Sequence, residues 1–121
     1  MIQVIGTLSC KETQKLQRWL KDRSIAFHFL DLGVKPLAKG EIVNVTAGLE
    51  NAPHTTESLI NVQSKIYKEK GLAHFDSEPL DLLLQNPGIL KTPLIRSGKN
   101  ALVGYDAKRL ETWKKDGKFN S

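Results

Sequence analysis

The 121-residue chain has one cysteine, Cys10, and it is the residue on which any thiol chemistry must rest. Residues 1–6 (MIQVIG) hold Ile2, Val4 and Ile5, a β-branched run that reads as a short buried strand closed by glycine. Thr7, Leu8 and Ser9 make a tight connection, and residues 11–23 then place Leu16, Trp19 and Leu20 at helical spacing. Cys10 therefore stands at a helix N-terminus, where unpaired N–H groups and the positive end of the helix dipole favour thiolate over thiol. Lys11 adds a cation beside it, on a side chain long enough to point elsewhere. The hydroxyl of Thr13, one turn along, has two outlets: the thiolate or a helical carbonyl. With one cysteine there is no internal disulfide, which fits a reducing, cytoplasmic setting. It leaves the thiol either buried as a small inert hydrophobe or accessible and used.

The remaining elements must position this sulfur. Residues 25–32 (IAFHFLDL) form an apolar run of strand length, as expected where helices cover both faces of a sheet, and complete a right-handed parallel βαβ unit. The middle third is helical: residues 39–49, a breaker at Asn51-Ala52-Pro53, and a capping start at Thr55-Thr56-Glu57. A helix over 58–70 follows, with Leu59, Ile60, Val62 and Ile66 as its apolar positions and Gly71 as its stop. Residues 79–90 read as a helix ending in a turn at Asn86-Pro87-Gly88. Strands at 93–95 and 101–103, joined by the polar four-residue turn Ser97-Gly98-Lys99-Asn100, predict a β-hairpin. Asp106 caps a last helix that buries Leu110 and Trp113. The order is β-α-β, a helical insert over about 36–91, then β-β-α: one α/β domain over 1–121.

Composition narrows the function classes. Hydrophobic residues make up 40% of the chain and charged residues 26%, enough apolar surface for one core. The net charge of +5 favours acidic or anionic partners. Its lysines are dispersed apart from local groups such as Lys65, Lys68 and Lys70, and no basic-aromatic motif accompanies them, so direct nucleic-acid binding is not expected. No apolar run is long enough to span a bilayer, and the N-terminus is a poor signal peptide; no membrane association is expected. His28, His54 and His74 lack ligand-like spacing, so no metal site is expected. Trp19 and Trp113 have core spacing. Tyr105 ends a strand near the presumed site.

Four segments taken together resemble a known family: Ser9-Cys10-x-x-Thr13 opening a helix, residues 61–72 (NVQSKIYKEKGL), residues 86–95 (NPGILKTPLI), and Val103-Gly104-Tyr105. In order and spacing the chain resembles the ArsC/Spx family, the arsenate-reductase-like branch of the thioredoxin superfamily, over nearly its whole length. The resemblance implies a thioredoxin-like fold: a mixed four-stranded sheet flanked by helices, with the helical insert in the middle third. It implies Cys10 as the nucleophile and puts Thr92-Pro93 where that superfamily carries a cis-proline facing the cysteine. An ordinary trans proline opening an edge strand is the alternative. The position three residues after Cys10 is Thr13, not a second cysteine. Oxidised Cys10 would then be resolved from outside, by glutathione as co-substrate or by a glutaredoxin-like partner. No tightly bound cofactor is implied.

The sequence also departs from the family pattern. Arsenate reductases of this family hold their oxyanion with arginines, whose planar forks suit it. Gln63, Thr92 and Tyr105 stand at those three positions, and Lys65 and Lys91 offer only point charges nearby, which counts against arsenate reduction. Spx-type regulators share the fold and the Val-Gly-Tyr ending and act by contacting RNA polymerase, but their redox cysteine pair and their arginine before the proline are absent. Two readings follow. One is a glutathione-linked thiol oxidoreductase acting on a small thiol or oxyanion substrate, its site shaped by Ser9, Lys11, Thr13, Gln63, Lys65, Lys91, Thr92, Pro93 and Tyr105 around Cys10. The other is a noncatalytic adaptor that binds RNA polymerase or another protein through its insert.

Overall fold

The computed structural model describes residues 2–119. Its elements are β1 (Ile2–Gly6), α1 (Lys11–Asp22), β2 (His28–Asp31), α2 (Lys39–Gly48), α3 (Lys65–Glu69), α4 (Pro79–Gln85), β3 (Leu94–Ser97), β4 (Asn100–Val103) and α5 (Ala107–Lys115), with short 3-10 turns at Thr56–Leu59, Leu72–His74 and Pro87–Ile89. Met1, Asn120 and Ser121, which the sequence reading included in the domain and Met1 in the first strand, lie outside the described residues.

The strands order as β2-β1-β3-β4. β1 pairs with β2 in parallel and with β3 antiparallel, and β3 pairs antiparallel with β4. The two-residue period of each strand divides the core between the faces of the sheet. Ile2, Val4, Ile95 and Leu102 pack with Leu16, Trp19 and Leu20 of α1 and Leu110 and Trp113 of α5. Ile5, Leu94 and Ala101 pack on the other face with Ile42, Val45, Leu49, Leu59, Leu83 and Ile89. Each fully buried Leu or Ile stabilises the fold by about 1.5–3 kcal/mol.

The two rims of the sheet are finished differently. β4 is closed by the chain leaving α2: Leu49 bridges Ala101, Glu50 N–H donates to the Ala101 carbonyl at 3.0 Å, and Asn51 brackets Val103. The Asn51 amide donates to the Val103 carbonyl at 2.9 Å and its carbonyl oxygen accepts from Val103 N–H at 3.0 Å. Among the described residues, β2 has no strand on its outer side. It is shorter than residues 25–32 suggest and partly exposed, as an edge strand lacks one lateral neighbour.

The single helix expected over 58–70 is not formed. A 3-10 turn ends at Leu59, Ile60 is extended, and α3 starts only at Lys65. Long-range backbone pairing wins here over helical propensity. Ile60 bridges Leu90, Asn61 N–H donates to the Ile89 carbonyl at 2.7 Å, and Lys91 N–H donates to the Leu59 carbonyl at 2.7 Å. The Asn61 side chain then accepts from Gln63 N–H, and Ser64 caps α3 by accepting from Tyr67 N–H, both local devices that start a helix late. Val62 and Ile66 therefore lie exposed, at 49% and 37%, and not in the core.

The hairpin turn is also tighter than the four residues expected. β3 runs to Ser97 and β4 begins at Asn100, so only Gly98 and Lys99 connect them, with Gly98 at φ +60°, a conformation that favours glycine. The last helix follows the sequence reading: Asp106 accepts from Arg109 N–H at 3.0 Å, and Leu110 and Trp113 are buried.

Candidate thiol site

Cys10 is the N-cap residue of α1, with extended backbone (φ −75°, ψ 117°), and is half-buried. Its carbonyl accepts from Gln14 N–H, and its own N–H donates to the Thr7 carbonyl, so the loop from β1 turns directly into the helix. The Gln14 side chain reaches back to the Leu8 carbonyl at 2.7 Å and fixes that loop from the helix side. The sulfur closes no cap hydrogen bond of its own. Ser9 and Lys11 flank it as exposed side chains.

The segment before β3 faces it. The Thr92-Pro93 peptide is cis, and Pro93 is buried. Thr92 Oγ1 donates to Cys10 Sγ at 3.2 Å, and Sγ lies 3.7 Å from the Thr92 carbonyl oxygen. The two contacts suit the two states of the sulfur: a thiol donates weakly to the carbonyl, and a thiolate accepts from the hydroxyl. Thr92 is itself held by paired backbone on both sides, Lys91 N–H to the Leu59 carbonyl and Gly104 N–H to the Pro93 carbonyl at 2.7 Å. The insert thus positions the residue that touches the sulfur, a role that neither the helical period nor any local motif signals.

Thr13 lies on the inner side of α1, fully buried, and its hydroxyl meets no hydrogen-bond partner among the described residues. It bears on the charge of the sulfur without closing a bond to it in this structure; the formed side-chain contact is that of Thr92. Burial pushes the Cys10 thiol up. The hydroxyls of Thr13 and Thr92 together with the N–H groups of Thr13 and Glu12 outweigh it, and the thiol sits below its ordinary value.

Among the described residues, the hydrogen-bond contacts of the sulfur come from Thr92, and the other side chains singled out from the sequence make none to it. Gln63 is exposed in the turn before α3, and Lys65 is exposed and paired with Glu69 at 3.7 Å. Lys91 is exposed beside Thr92. Tyr105 lies along the flank of α1, half-buried against the core of that face, where it lines a shallow groove with Lys15, Arg18 and Trp19. An apolar groove between Leu32, Leu37, Leu83 and Leu84 includes none of these residues. Among the described residues no three His, Cys, Asp or Glu side chains converge as metal ligands, and no helix is long and apolar enough to cross a membrane.

A mixed sheet of this order, with a cysteine at the β1–α1 junction opposite a cis-proline segment, defines a thioredoxin-like fold. The model of the ArsC family matches residues 6–113, and the chain belongs to that family. It is 33% identical over 101 residues to the global transcriptional regulator Spx 2 of Oceanobacillus iheyensis, covering 80% of this chain and 72% of that one. It is 27% identical over 109 residues to the global transcriptional regulator Spx of Streptococcus agalactiae, covering 88% and 77%. Among solved structures, an arsenate reductase from Vibrio cholerae superposes with a TM-score of 0.74 at 13% identity, over 92% of this chain and 95% of that one, a likeness of fold.

Proposed function

We propose that this chain is a single-thiol oxidoreductase, linked to glutathione and acting in the cytoplasm. The Cys10 thiolate attacks one sulfur of a mixed disulfide; that S–S bond breaks, a new one forms to Cys10, and the leaving thiolate takes a proton from solvent. A second thiol, glutathione or a glutaredoxin-like protein, then attacks the Cys10 disulfide and regenerates the thiolate, because Thr13 stands where a resolving cysteine would be. The observation that carries this reading is the 3.2 Å contact from Thr92 Oγ1 to a sulfur at a helix N-terminus, a geometry that stabilises the attacking species. Glutathione enters as co-substrate and not as a resident group. Arsenate is a poor fit for substrate, since Gln63, Thr92 and Tyr105 stand where arsenate reductases of the family are expected to carry the arginines that hold the oxyanion.

The test is turnover of a glutathione mixed disulfide by wild type and by Cys10→Ser, with arsenate assayed in parallel. Activity confined to the wild type and to the disulfide substrate is expected. Activity surviving in Cys10→Ser rules the proposal out.

A second reading rests on the relatives named as global transcriptional regulators. In it the chain binds a protein partner, RNA polymerase being the first to try, through the exposed Val62, Ile66 and Phe75 of the insert. A pull-down with RNA polymerase that fails with Val62→Asp but not with Cys10→Ser would favour it.

A further inference from the structure

The glycine that ends β1 sits against the residue that supports the sulfur. A side chain built on Gly6 would place its first carbon 2.5 Å from Thr13 Oγ1 and 2.6 Å from Thr13 Cγ2, both far inside contact distance. Gly6 is extended strand, with no positive φ to call for glycine. Space, not backbone conformation, is what requires glycine here. Thr13 fills that space completely: it is 0% exposed, and its hydroxyl is a buried polar group with no protein partner among the described residues. A hydroxyl buried in that condition is destabilising, since it gave up water and gained no partner. The acceptor that would relieve it is the sulfur three residues before, once that sulfur is ionised.

We infer that Gly6 is a positioning residue for Cys10: the room left by its missing side chain seats the Thr13 hydroxyl where it donates to the thiolate. The inference deepens the thiol reading given above and rests on it. Gly6 acts through Thr13, whose side-chain atoms are the three nearest to where its own side chain would begin. Thr92 supplies a donor from across the cleft, and the Gly6–Thr13 pair supplies one from below. The ionised sulfur is thereby bracketed by two hydroxyls on separate elements.

The experiment is a set of five variants of the full chain, each titrated by the pH dependence of Cys10 alkylation and checked for folding by circular dichroism. Thr13→Ala removes the hydroxyl, and Thr13→Ser keeps it. Gly6→Ala is made alone, on Thr13→Ser and on Thr13→Ala. The serine background matters because its hydroxyl can swing aside from the new methyl, which keeps the fold where Gly6→Ala alone fails.

Thr13→Ser is expected to keep the wild-type profile and Thr13→Ala to move it to higher pH. Gly6→Ala should move the profile upward in the threonine or serine background and add nothing to Thr13→Ala. Where the thiolate fraction at low pH falls about tenfold, the more basic thiolate reacts faster and offsets part of the loss, leaving a net slowing of about three- to fourfold. A folded Gly6→Ala/Thr13→Ser protein with the profile of Thr13→Ser overturns the assignment, as does a further displacement when Gly6→Ala is added to Thr13→Ala. A wild-type thiol that titrates in the ordinary range sinks the thiol reading itself. A depressed wild-type value that no Gly6 change moves sinks only the role of Gly6.

Discussion

The two faces of the sheet are built by different means. On one, α1 and α5 carry their own apolar stripes, Leu16, Trp19 and Leu20 on the first and Leu110 and Trp113 on the second, and the helices begin and end where local signals say they should. On the other, short helices and 3-10 turns are held by backbone bridges and polar clamps: Ile60 to Leu90, Asn61 to Ile89, Lys91 to Leu59, and Lys70 Nζ to Asn86 Oδ1 at 3.0 Å. The difference separates stability from tuning. The α1/α5 face supplies bulk burial and carries the sulfur at its helix tip. The insert contributes core as well, and its bridges also set the Thr92 hydroxyl against that sulfur.

This contrast can be broken most forcefully on the aromatic face. Trp113 is 1% exposed and donates to Glu50 at 2.9 Å, so Trp113→Ala is expected to lower stability by about 3–5 kcal/mol, read as a loss in denaturant midpoint. Its folded fraction should keep the wild-type alkylation profile of Cys10; a displaced profile would show that the two faces are not separable in this way. Leu59→Ala, beneath the insert, should cost about 2–5 kcal/mol and, unlike the tryptophan change, also move the thiol titration to higher pH. Thr92→Val removes the donor alone: a loss of about 1 kcal/mol, with slower alkylation at neutral pH and an unchanged circular dichroism spectrum.

The smallest effect is the pH dependence of stability. The folded thiol lies below its unfolded value, so the stability it contributes is fully present above the unfolded pKa and is lost as pH falls through the folded one. The stability difference between wild type and Cys10→Ser, from urea unfolding at a series of pH values, should therefore grow in favour of wild type as pH rises across that window. A difference that is flat, or that shrinks, contradicts the depressed thiol.

Much of this was legible in the residues. β1, α1 and α5 have strong periodicity, a clear start and a clear stop, and the structure follows the reading to within a residue or two. Cys10 at the head of α1 followed from the strand-loop-helix order alone. Residues 58–70 went wrong because Leu59, Ile60, Val62 and Ile66 have acceptable helical spacing, and what unwinds them is pairing with residues about thirty positions away. The same gap hid the route by which the insert holds Thr92. Gln63, Thr92 and Tyr105 are matched to family positions and Lys65 is a charge nearby; of these, Thr92 is the one whose hydroxyl donates to the sulfur, and that contact depends on the chain that pairs around it. Gly6 read as a strand end, since nothing local tells a glycine kept for conformation from one kept for space.

The bidentate amide of Asn51 has a further consequence. By offering Val103 one donor and one acceptor it imitates the ladder of a neighbouring strand, and stoppers the sheet on that side. Among the described residues, the β2 rim is the one left without a lateral partner. Strand addition at that rim would join two molecules and leave neither described sheet a second open edge to pass the pairing on.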